Sequence, residues 1–269
     1  MDVLRPFGEL RTLSVDLDER VATVTLRRPD QLNSFDAEQH GEFVELWRAL
    51  ATTRSVRAVV LAAEGPVFSA GGDFSILESA HASVQERLRV TRDGHDLLTA
   101  LLDVPQPVVV ALHGPAVGLG ATVVLACDAV VAARSATLAD PHVNIGLVAG
   151  DGGCVVWPAA VGPLRAKRHL LTGDPLPAEE AHRLGLVTDL VAEPAEALPA
   201  ALELARRIAD LPPLAVQLTK RTVNQGLRQR CAEVLELGLA YEMATLASDD
   251  LLEAVDAFRS RRPGVFEGA

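Results

Sequence analysis

Two glycine-rich segments of the chain could do chemistry with the backbone itself. They are Phe68-Ser69-Ala70-Gly71-Gly72-Asp73-Phe74 and the run from His113 to Ala121, and each follows a short apolar stretch and leads into a helix-like one. Small residues let a ligand approach the backbone, and amides at a helix N-terminus stabilise developing negative charge. The amide of Leu119 can face a cavity that its side chain also lines. The pattern favours an oxyanion-binding site, and ordinary tight turns are the alternative.

The same residues argue against several other kinds of site. Gly114, Gly118 and Gly120 lack the GxGxxG spacing of a dinucleotide-binding turn, and no Gly-Lys-Ser/Thr follows them as in a P-loop. The three cysteines are scattered, without a CxxC or a Cys/His cluster. We therefore expect neither a metal ion nor a disulfide framework.

The elements that position these segments follow from hydrophobic periodicity. Alternating apolar residues over 13–17 and 22–26 predict a hairpin with one buried face. Asp36 can cap a helix whose apolar stripe includes Phe43, Leu46, Trp47 and Leu50. The Val-rich runs 58–62, 108–112 and 129–133 read as strands covered on both faces. Together they predict an α/β fold with a mainly parallel sheet.

From about Glu196 onward the pattern is helical, with a helix begun by Pro212-Pro213 and a long one from Leu227 to Leu246. We place a boundary near residue 200, which divides a core over residues 1–200 from a helical segment over residues 201–269. No Gly/Ser linker marks this boundary. The helical segment is therefore expected to pack on the core or on a neighbouring subunit.

The composition narrows the class of protein further. The chain has 269 residues, 49% of them hydrophobic but only 4% aromatic, so Ala, Val and Leu must fill the core. A net charge of -11, interspersed along the chain, argues against a nucleic-acid partner. The segment Met1 to Leu10 lacks the apolar region of a signal peptide, and no apolar run is long enough to span a membrane. These features predict a soluble, cytoplasmic protein.

Taken in order, the motifs resemble those of the crotonase (enoyl-coenzyme A hydratase and isomerase) superfamily over nearly the whole chain. Each motif is weak alone, but their order and spacing together are specific. Arg28 to Asn33 resembles an early RPxxLN stretch, Phe68 to Asp73 an FxAGxD motif, and Pro107 to Asp128 a PVVAxxxGPAxGxGxxLxLACD segment. Further marks follow at Asn144 to Gly153, Leu171 to Gly173, Ala178 to Ala181 and Gly185 to Val187, with a similar ending over 253–263.

The resemblance implies a crotonase-like spiral of ββα units with a C-terminal helical oligomerisation segment, assembled as a homotrimer or a dimer of trimers. It implies an acyl-coenzyme A substrate, with coenzyme A as part of the substrate and no other cofactor. The family's two oxyanion amides fall on Gly72 and Leu119. Five residues are expected along the nucleotide, the pantetheine or the acyl group: Gln31, Leu32, Asp73, Phe74 and Thr122. Three cations are candidates for phosphate contacts, with solvated surface cations as the alternative: Lys220, Arg261 and Arg262.

The sequence departs from the resemblance where hydratases of the family carry two catalytic glutamates. The matching positions hold Thr122 and His142, and threonine cannot act as a general base near neutral pH. His142 is the best titratable replacement, with a structural histidine as the alternative, and Asp140 can orient it. Asp151, between glycines, is the second candidate, unless it only shapes a turn.

Several other polar residues are weaker candidates. Three polar residues follow the first glycine-rich segment: Glu78, His81 and Glu86. One of them could serve as a catalytic base, and the alternative is that they form a solvated helix face. Cys154 is interpreted as a small buried residue and Asp128 as a cap or a core hydrogen-bond partner. The overall expectation is an enzyme that stabilises a thioester enolate, with hydration, isomerisation and hydrolysis all open. A non-catalytic acyl-coenzyme A binding protein is the alternative from a different class.

Overall fold

A computed structural model describes residues 10–268. The expectation that the chain lacks a signal peptide concerns residues 1–10, which lie outside the described residues except for Leu10. Nine strands are defined within this range: β1 Leu13–Asp18, β2 Val21–Leu26, β3 Ala58–Ala63, β4 Val108–Leu112, β5 Ala116–Val117, β6 Ala129–Ala133, β7 Thr137–Ala139, β8 Leu176–Pro177 and β9 Asp189–Val191. Ten α-helices are defined within it: α1 Ala37–Thr52, α2 Phe74–Ala82, α3 Val84–Asp103, α4 Leu119–Ala126, α5 Gly153–Leu170, α6 Ala178–Leu184, α7 Pro194–Ala209, α8 Pro213–Val223, α9 Gln225–Thr245 and α10 Asp249–Ser260. Short 3-10 helices lie at Pro29–Gln31 and His142–Ile145.

The main sheet has six strands in the order β1-β2-β3-β4-β6-β9, and a smaller sheet pairs β5, β7 and β8. Only β1 and β2 run antiparallel in the main sheet, as a hairpin, and the pairs from β2 to β9 are parallel. The predicted hairpin, buried strands and mainly parallel α/β sheet are therefore confirmed. Parallel strands end at one edge of a sheet, and the glycine-rich segments leave β3 and β4 there.

Helices cover both faces of the sheet with different side chains. On one face, α7 packs Ala197, Ala201, Ala205 and Ala209 against valines of the strands. These alanines recur every four residues and form one stripe, which lets the helix lie close to the sheet. The other face carries the larger core, in which Phe43 and Trp47 of α1 are fully buried. The core is thus built largely from small and medium aliphatic residues, as the composition predicts.

The start of α1 follows its sequence signal, because the Asp36 side chain accepts a hydrogen bond from the N–H of Gln39. The predicted C-terminal helices are also present, with Pro213 at the first position of α8. Helix α7 runs through residue 200 and packs on the main sheet. The predicted division of the chain near that residue stays a prediction. No helix within residues 10–268 is long and apolar enough to cross a membrane.

Candidate functional site

The first glycine-rich segment leaves the N–H of Gly72 without an acceptor among residues 10–268. A parallel bridge to Phe35 fixes the turn, since Phe35 N donates to Gly71 O at 2.8 Å and Asp73 N donates to Phe35 O at 3.1 Å. In such a bridge the amide of the middle residue points away from the partner strand. Gly71 has a φ of 87°, a conformation that glycine adopts without strain. The turn therefore presents one free backbone donor.

The second segment presents another such donor at the start of α4. Leu119 is the first residue of that helix, so its N–H has no partner inside the helix. The carbonyl of Pro115, one turn earlier, instead accepts from Phe68 N at 2.9 Å. A Cβ added to Gly71 would lie 3.4 Å from Leu119 N, which shows that the two turns are in contact. Two neighbouring amides of this kind are what an oxyanion hole requires.

Both turns border a cavity of about 580 Å³ whose lining is mostly apolar. Its lining includes eight of the predicted residues: Gln31, Leu32, Gly72, Asp73, Phe74, Leu119, His142 and Asp151. Thr122 and the three cations predicted for phosphate contacts do not line it. Phe74 stacks obliquely on Phe258 of α10, with ring centroids 5.2 Å apart, and both rings line the cavity. The C-terminal helices therefore contribute to its wall.

Thr122 lies behind the cavity wall rather than on it. Its side chain is fully buried in α4, and a Cβ added to Gly152 would come within 2.7 Å of its methyl group. Its hydroxyl has no hydrogen-bond partner among the described residues. The side chain packs under the turn that carries Asp151, and a contact of Thr122 with a substrate stays a prediction.

His142 is held between two aspartates at the edge of the cavity. Its Nδ1 lies 2.5 Å from Asp140 Oδ1, and its Nε2 lies 3.4 Å from Asp151 Oδ2. Burial by itself lowers the pKa of His142, but the charges of Asp151 and Asp140 outweigh it and raise the pKa well above 6.5. The imidazole is therefore a cation at neutral pH, and Asp140 orients it as predicted. Although burial opposes ionisation of Asp151, the nearby His142 cation lowers the pKa of that carboxyl.

Glu242 is a member of the site that sequence reasoning missed. It projects from α9 into the cavity with only 5% of its surface exposed. One atom from each of His142, Asp151 and Glu242 lies within 4.8 Å of the others. Burial, together with the charge of Asp151, raises the pKa of Glu242 to about 8. The cluster therefore combines an ionised carboxylate, a cationic imidazole and a carboxylic acid that keeps its proton at neutral pH.

His40 of α1 also lines the cavity and was not among the predicted residues. Its ring meets Phe35 edge-on with centroids 5.5 Å apart, and its buried Nδ1 has no hydrogen-bond partner in the described chain. Burial lowers the pKa of His40, which makes it a neutral imidazole at neutral pH. The cavity is therefore lined by two histidines whose pKa values are shifted in opposite directions, lowered for His40 and raised for His142.

The sequence does contain a signal for both missed residues. Glu242 lies on the buried stripe of α9 that also carries Cys231, Leu235 and Leu239. His40 lies three residues before Phe43 on the buried face of α1. A polar residue at a stripe position is buried and must find a partner or a role there.

His142, Asp151 and Glu242 are also a group within residues 10–268 whose atoms lie close enough together to hold a metal ion. In the structure, however, both ring nitrogens of His142 face carboxylates. Metal binding would need a neutral ring nitrogen, and the contacts with Asp140 and Asp151 raise the pKa of His142 and so oppose the loss of its proton. The arrangement is therefore suited to proton transfer.

The weaker candidates beyond the first glycine-rich segment have structural partners instead of cavity positions. Glu78 is paired with Arg259, and Glu86 with Arg89. His81 Nδ1 lies 3.2 Å from the carbonyl oxygen of Leu246. The contact between Glu78 and Arg259 joins α2 to α10, whereas Glu86 and Arg89 pair within α3, so the structure gives these residues structural contacts.

The expected phosphate contact of Lys220 is corrected by its surroundings. Its side chain is 8% exposed, its Nζ lies 2.6 Å from Asp128 Oδ2, and it donates to Gln106 O at 2.8 Å. Asp128 also accepts from Val108 N at 2.7 Å, which matches its predicted core role. Lys220 thus ties α8 to the sheet. Arg262 is engaged by Glu253 and Asp256, each at 2.5 Å, whereas Arg261 is exposed.

The raised pKa of Glu242 predicts a pH-dependent stability. Its ordinary pKa is 4.5 and its folded pKa is about 8, so between these values the folded protein holds a proton that the unfolded chain releases. The free energy of unfolding should fall through this window by about 1.4 kcal/mol per pH unit for this proton. His142 acts in the same direction, since its raised pKa adds stability that is lost as pH rises. We expect Glu242→Gln to flatten the slope in urea unfolding at a series of pH values, and equal slopes would contradict the assignment.

The mainly parallel sheet, the two neighbouring N–H groups and the buried cluster of titratable residues are together features of an α/β enzyme. Comparisons with known proteins agree with this class. The enoyl-CoA hydratase/isomerase family model matches residues 16–269. The 1,2-epoxyphenylacetyl-CoA isomerase of Escherichia coli is 32% identical over 254 residues, covering 94% of this chain and 97% of that protein.

Solved structures give the same result. An enoyl-CoA hydratase/isomerase from Mycobacterium paratuberculosis has 37% identity and a TM-score of 0.87, covering 91% of this chain and 97% of that one. A β-diketone hydrolase from the cyanobacterium Anabaena, bound to (S)-3-oxocyclohexyl acetic acid, has 28% identity and a TM-score of 0.84, covering 92% and 97%. The chain belongs to the enoyl-CoA hydratase/isomerase family, and the crotonase-like fold class predicted from the sequence is confirmed.

Proposed function

We propose that the protein is an acyl-CoA enzyme that stabilises the enolate of a thioester. The observation that carries the proposal is the pair of unpartnered amides, Gly72 and Leu119, which border one apolar cavity beside a buried acid/base cluster. Negative charge that develops on a thioester oxygen would be stabilised by these two donors in a setting of low dielectric. Proton transfer would fall to His142 or Asp151.

The same proposal assigns the remaining lining residues to the substrate. Gln31, Leu32, Asp73 and Phe74 would lie along the nucleotide and pantetheine, and coenzyme A would be part of the substrate with no separate cofactor. Because Thr122 and His142 occupy the positions expected for catalytic glutamates, this protein would be a hydratase/isomerase-like enzyme that has lost that glutamate pair. A trimer or a dimer of trimers, built through the C-terminal helices, and a cytoplasmic location complete the proposal.

Hydrolysis is a second candidate, favoured by the contact between His142 and Asp151 at 3.4 Å. The Asp151 carboxylate, which His142 favours in its ionised form, can accept a proton from a water that attacks a carbonyl, and the same two amides would hold the resulting oxyanion. The similar Anabaena protein is a β-diketone hydrolase, which supports this candidate for a carbonyl substrate.

A crystal structure with a bound acyl-CoA tests the primary proposal. We expect the thioester oxygen within hydrogen-bonding distance of the amide nitrogens of both Gly72 and Leu119. An oxygen bound elsewhere, with both amides taken by protein carbonyls, would overturn the assignment. Turnover of crotonyl-, 3-enoyl- and cyclic acyl-CoA substrates, compared with a cyclic β-diketone, separates the two candidates. Tight acyl-CoA binding without any turnover would instead indicate a non-catalytic binding protein.

A further inference from the structure

Glu242 reaches the cavity because two glycines let α9 lie directly against the loop that carries Asp151. A Cβ added to Gly150 would lie 2.3 Å from the carbonyl oxygen of Gly238 and 2.7 Å from Glu242 Oε2. A Cβ added to Gly238 would lie 3.2 Å from Gly150 Cα. Gly238 and Glu242 are four residues apart and share one face of α9. The close approach of the two backbones therefore sets the position of the glutamate.

The side chain of Glu242 is buried, but one of its carboxyl oxygens has no hydrogen-bond partner among the described residues. Glu242 Oε2 and Asp151 Oδ1 are both buried, and neither has a hydrogen-bond partner within residues 10–268. Buried carboxyl oxygens without partners are costly, and they mark a place where a ligand group or a proton is expected. Both side chains line the cavity, so the unsatisfied oxygens belong to the site itself.

The charges of the cluster require one carboxyl to stay protonated. Asp140, Asp151 and Glu242 surround the single imidazole of His142. Three ionised carboxyls would leave two uncompensated negative charges in a buried site, which is strongly unfavourable. Asp151 is stabilised as an anion by contact with His142, whereas burial and the charge of Asp151 raise the pKa of Glu242 to about 8.

We infer that Glu242 is a catalytic proton donor and Asp151 its paired acceptor, so that the cavity holds an acid/base carboxyl pair for α,β-unsaturated acyl thioesters. This role rests on the proposed function, since it requires a thioester held by Gly72 and Leu119. It gives the C-terminal helices a catalytic residue, Glu242 of α9, in addition to the side chains that line the cavity.

Addition of water to the double bond balances with these two groups alone. The water oxygen forms a bond to the β-carbon while one of its O–H bonds breaks, and that proton goes to the Asp151 carboxylate. The π electrons move to the thioester oxygen, which the two amides stabilise. They then return to form a bond between the α-carbon and the proton of Glu242. Transfer of a proton from Asp151 to Glu242, whose oxygens are close together, restores the starting state.

The test compares Glu242→Gln with the parent, because glutamine keeps the size of the side chain but cannot give up a proton. Turnover of crotonyl-CoA should fall by about a hundredfold to ten-thousandfold, with the affinity for the thioester changed far less. Exchange of the α-proton in deuterated water should be lost in parallel. Glu233→Gln is the matched control, because Glu233 is an exposed glutamate on the same helix, and it should behave like the parent.

A measurement without substrate separates this inference from the proposed function. In the infrared spectrum of the free protein, the parent should show a protonated carboxyl that titrates near pH 8 and is missing in Glu242→Gln. Parent-like turnover and exchange in Glu242→Gln would overturn the inference while leaving the proposed function intact, as would an ionised Glu242 at neutral pH. A folded parent that turns over another acyl-CoA but not crotonyl-CoA would overturn this role alone, whereas one that neither binds nor turns over any of the acyl-CoA substrates would overturn the proposed function as well.

Discussion

Replacing Gly72 with proline is expected to lower kcat by about a hundredfold to a thousandfold, the effect of removing one oxyanion donor. Proline has no N–H, so the site would keep only the amide of Leu119. The bridge to Phe35 uses the carbonyl of Gly71 and the amide of Asp73, and neither is removed by this substitution. The loss should therefore fall mainly on the transition state. KM and the melting temperature are expected to change little.

Gly72→Ala is the matched variant, because a Cβ at this position meets no atom within 4 Å and the N–H is retained. We expect it to lose far less activity than the proline variant. Steady-state kinetics on the best acyl-CoA substrate, with circular dichroism to verify folding, make the comparison. If both variants lose activity equally, the loss comes from the shape of the turn, and the amide of Gly72 is not the donor.

The elements that carry these amides could be predicted from the sequence because their signals are local. Alternation over residues 13–26 gives the hairpin, Asp36 gives the start of α1, and short apolar runs followed by glycines give the strand-to-turn geometry at Gly72 and Leu119. The order of these elements then fixes which sheet edge bears the turns.

The acid/base cluster could be predicted only in part because it depends on contacts between distant segments. His142 and Asp140 are two residues apart, so their pairing follows from the local sequence. Glu242 meets Asp151 only because Gly150 and Gly238 let the two backbones touch, and no local periodicity shows that contact. A buried glutamate on an apolar stripe indicates an unusual environment without identifying its partner.

The same reason explains why the sequence does not predict the buried pairing of Lys220. A lysine in an amphipathic helix is usually solvated, and only the fold shows that Asp128 lies opposite it. Breaking a buried pair of this kind leaves an uncompensated charge, so Lys220 has a structural reason to be present. The correction matters for the proposed function, since the phosphates of a coenzyme A substrate would then be bound by other residues.

Removing the imidazole of His142 is expected to have an effect as large as that of Glu242→Gln. The His142 cation keeps Asp151 ionised through their contact at 3.4 Å, so without it Asp151 gains a proton and can no longer accept one. His142→Ala should lower kcat by about a hundredfold to ten-thousandfold, with the affinity for acyl-CoA nearly unchanged. His182→Ala is the control, because His182 is an exposed histidine on α6.

The pH profile distinguishes this role from mere packing. Asp140 raises the pKa of His142, so Asp140→Asn should lower that pKa while keeping the side chain's shape. Activity that needs the imidazolium is lost as pH rises through its pKa, and the alkaline limb of the kcat profile should therefore move to lower pH in Asp140→Asn. That limb belongs to the coupled cluster, in which Glu242 also titrates at about 8. An unmoved limb in Asp140→Asn, together with a His142→Ala variant that loses affinity but not kcat, would show that the imidazole only shapes the cavity.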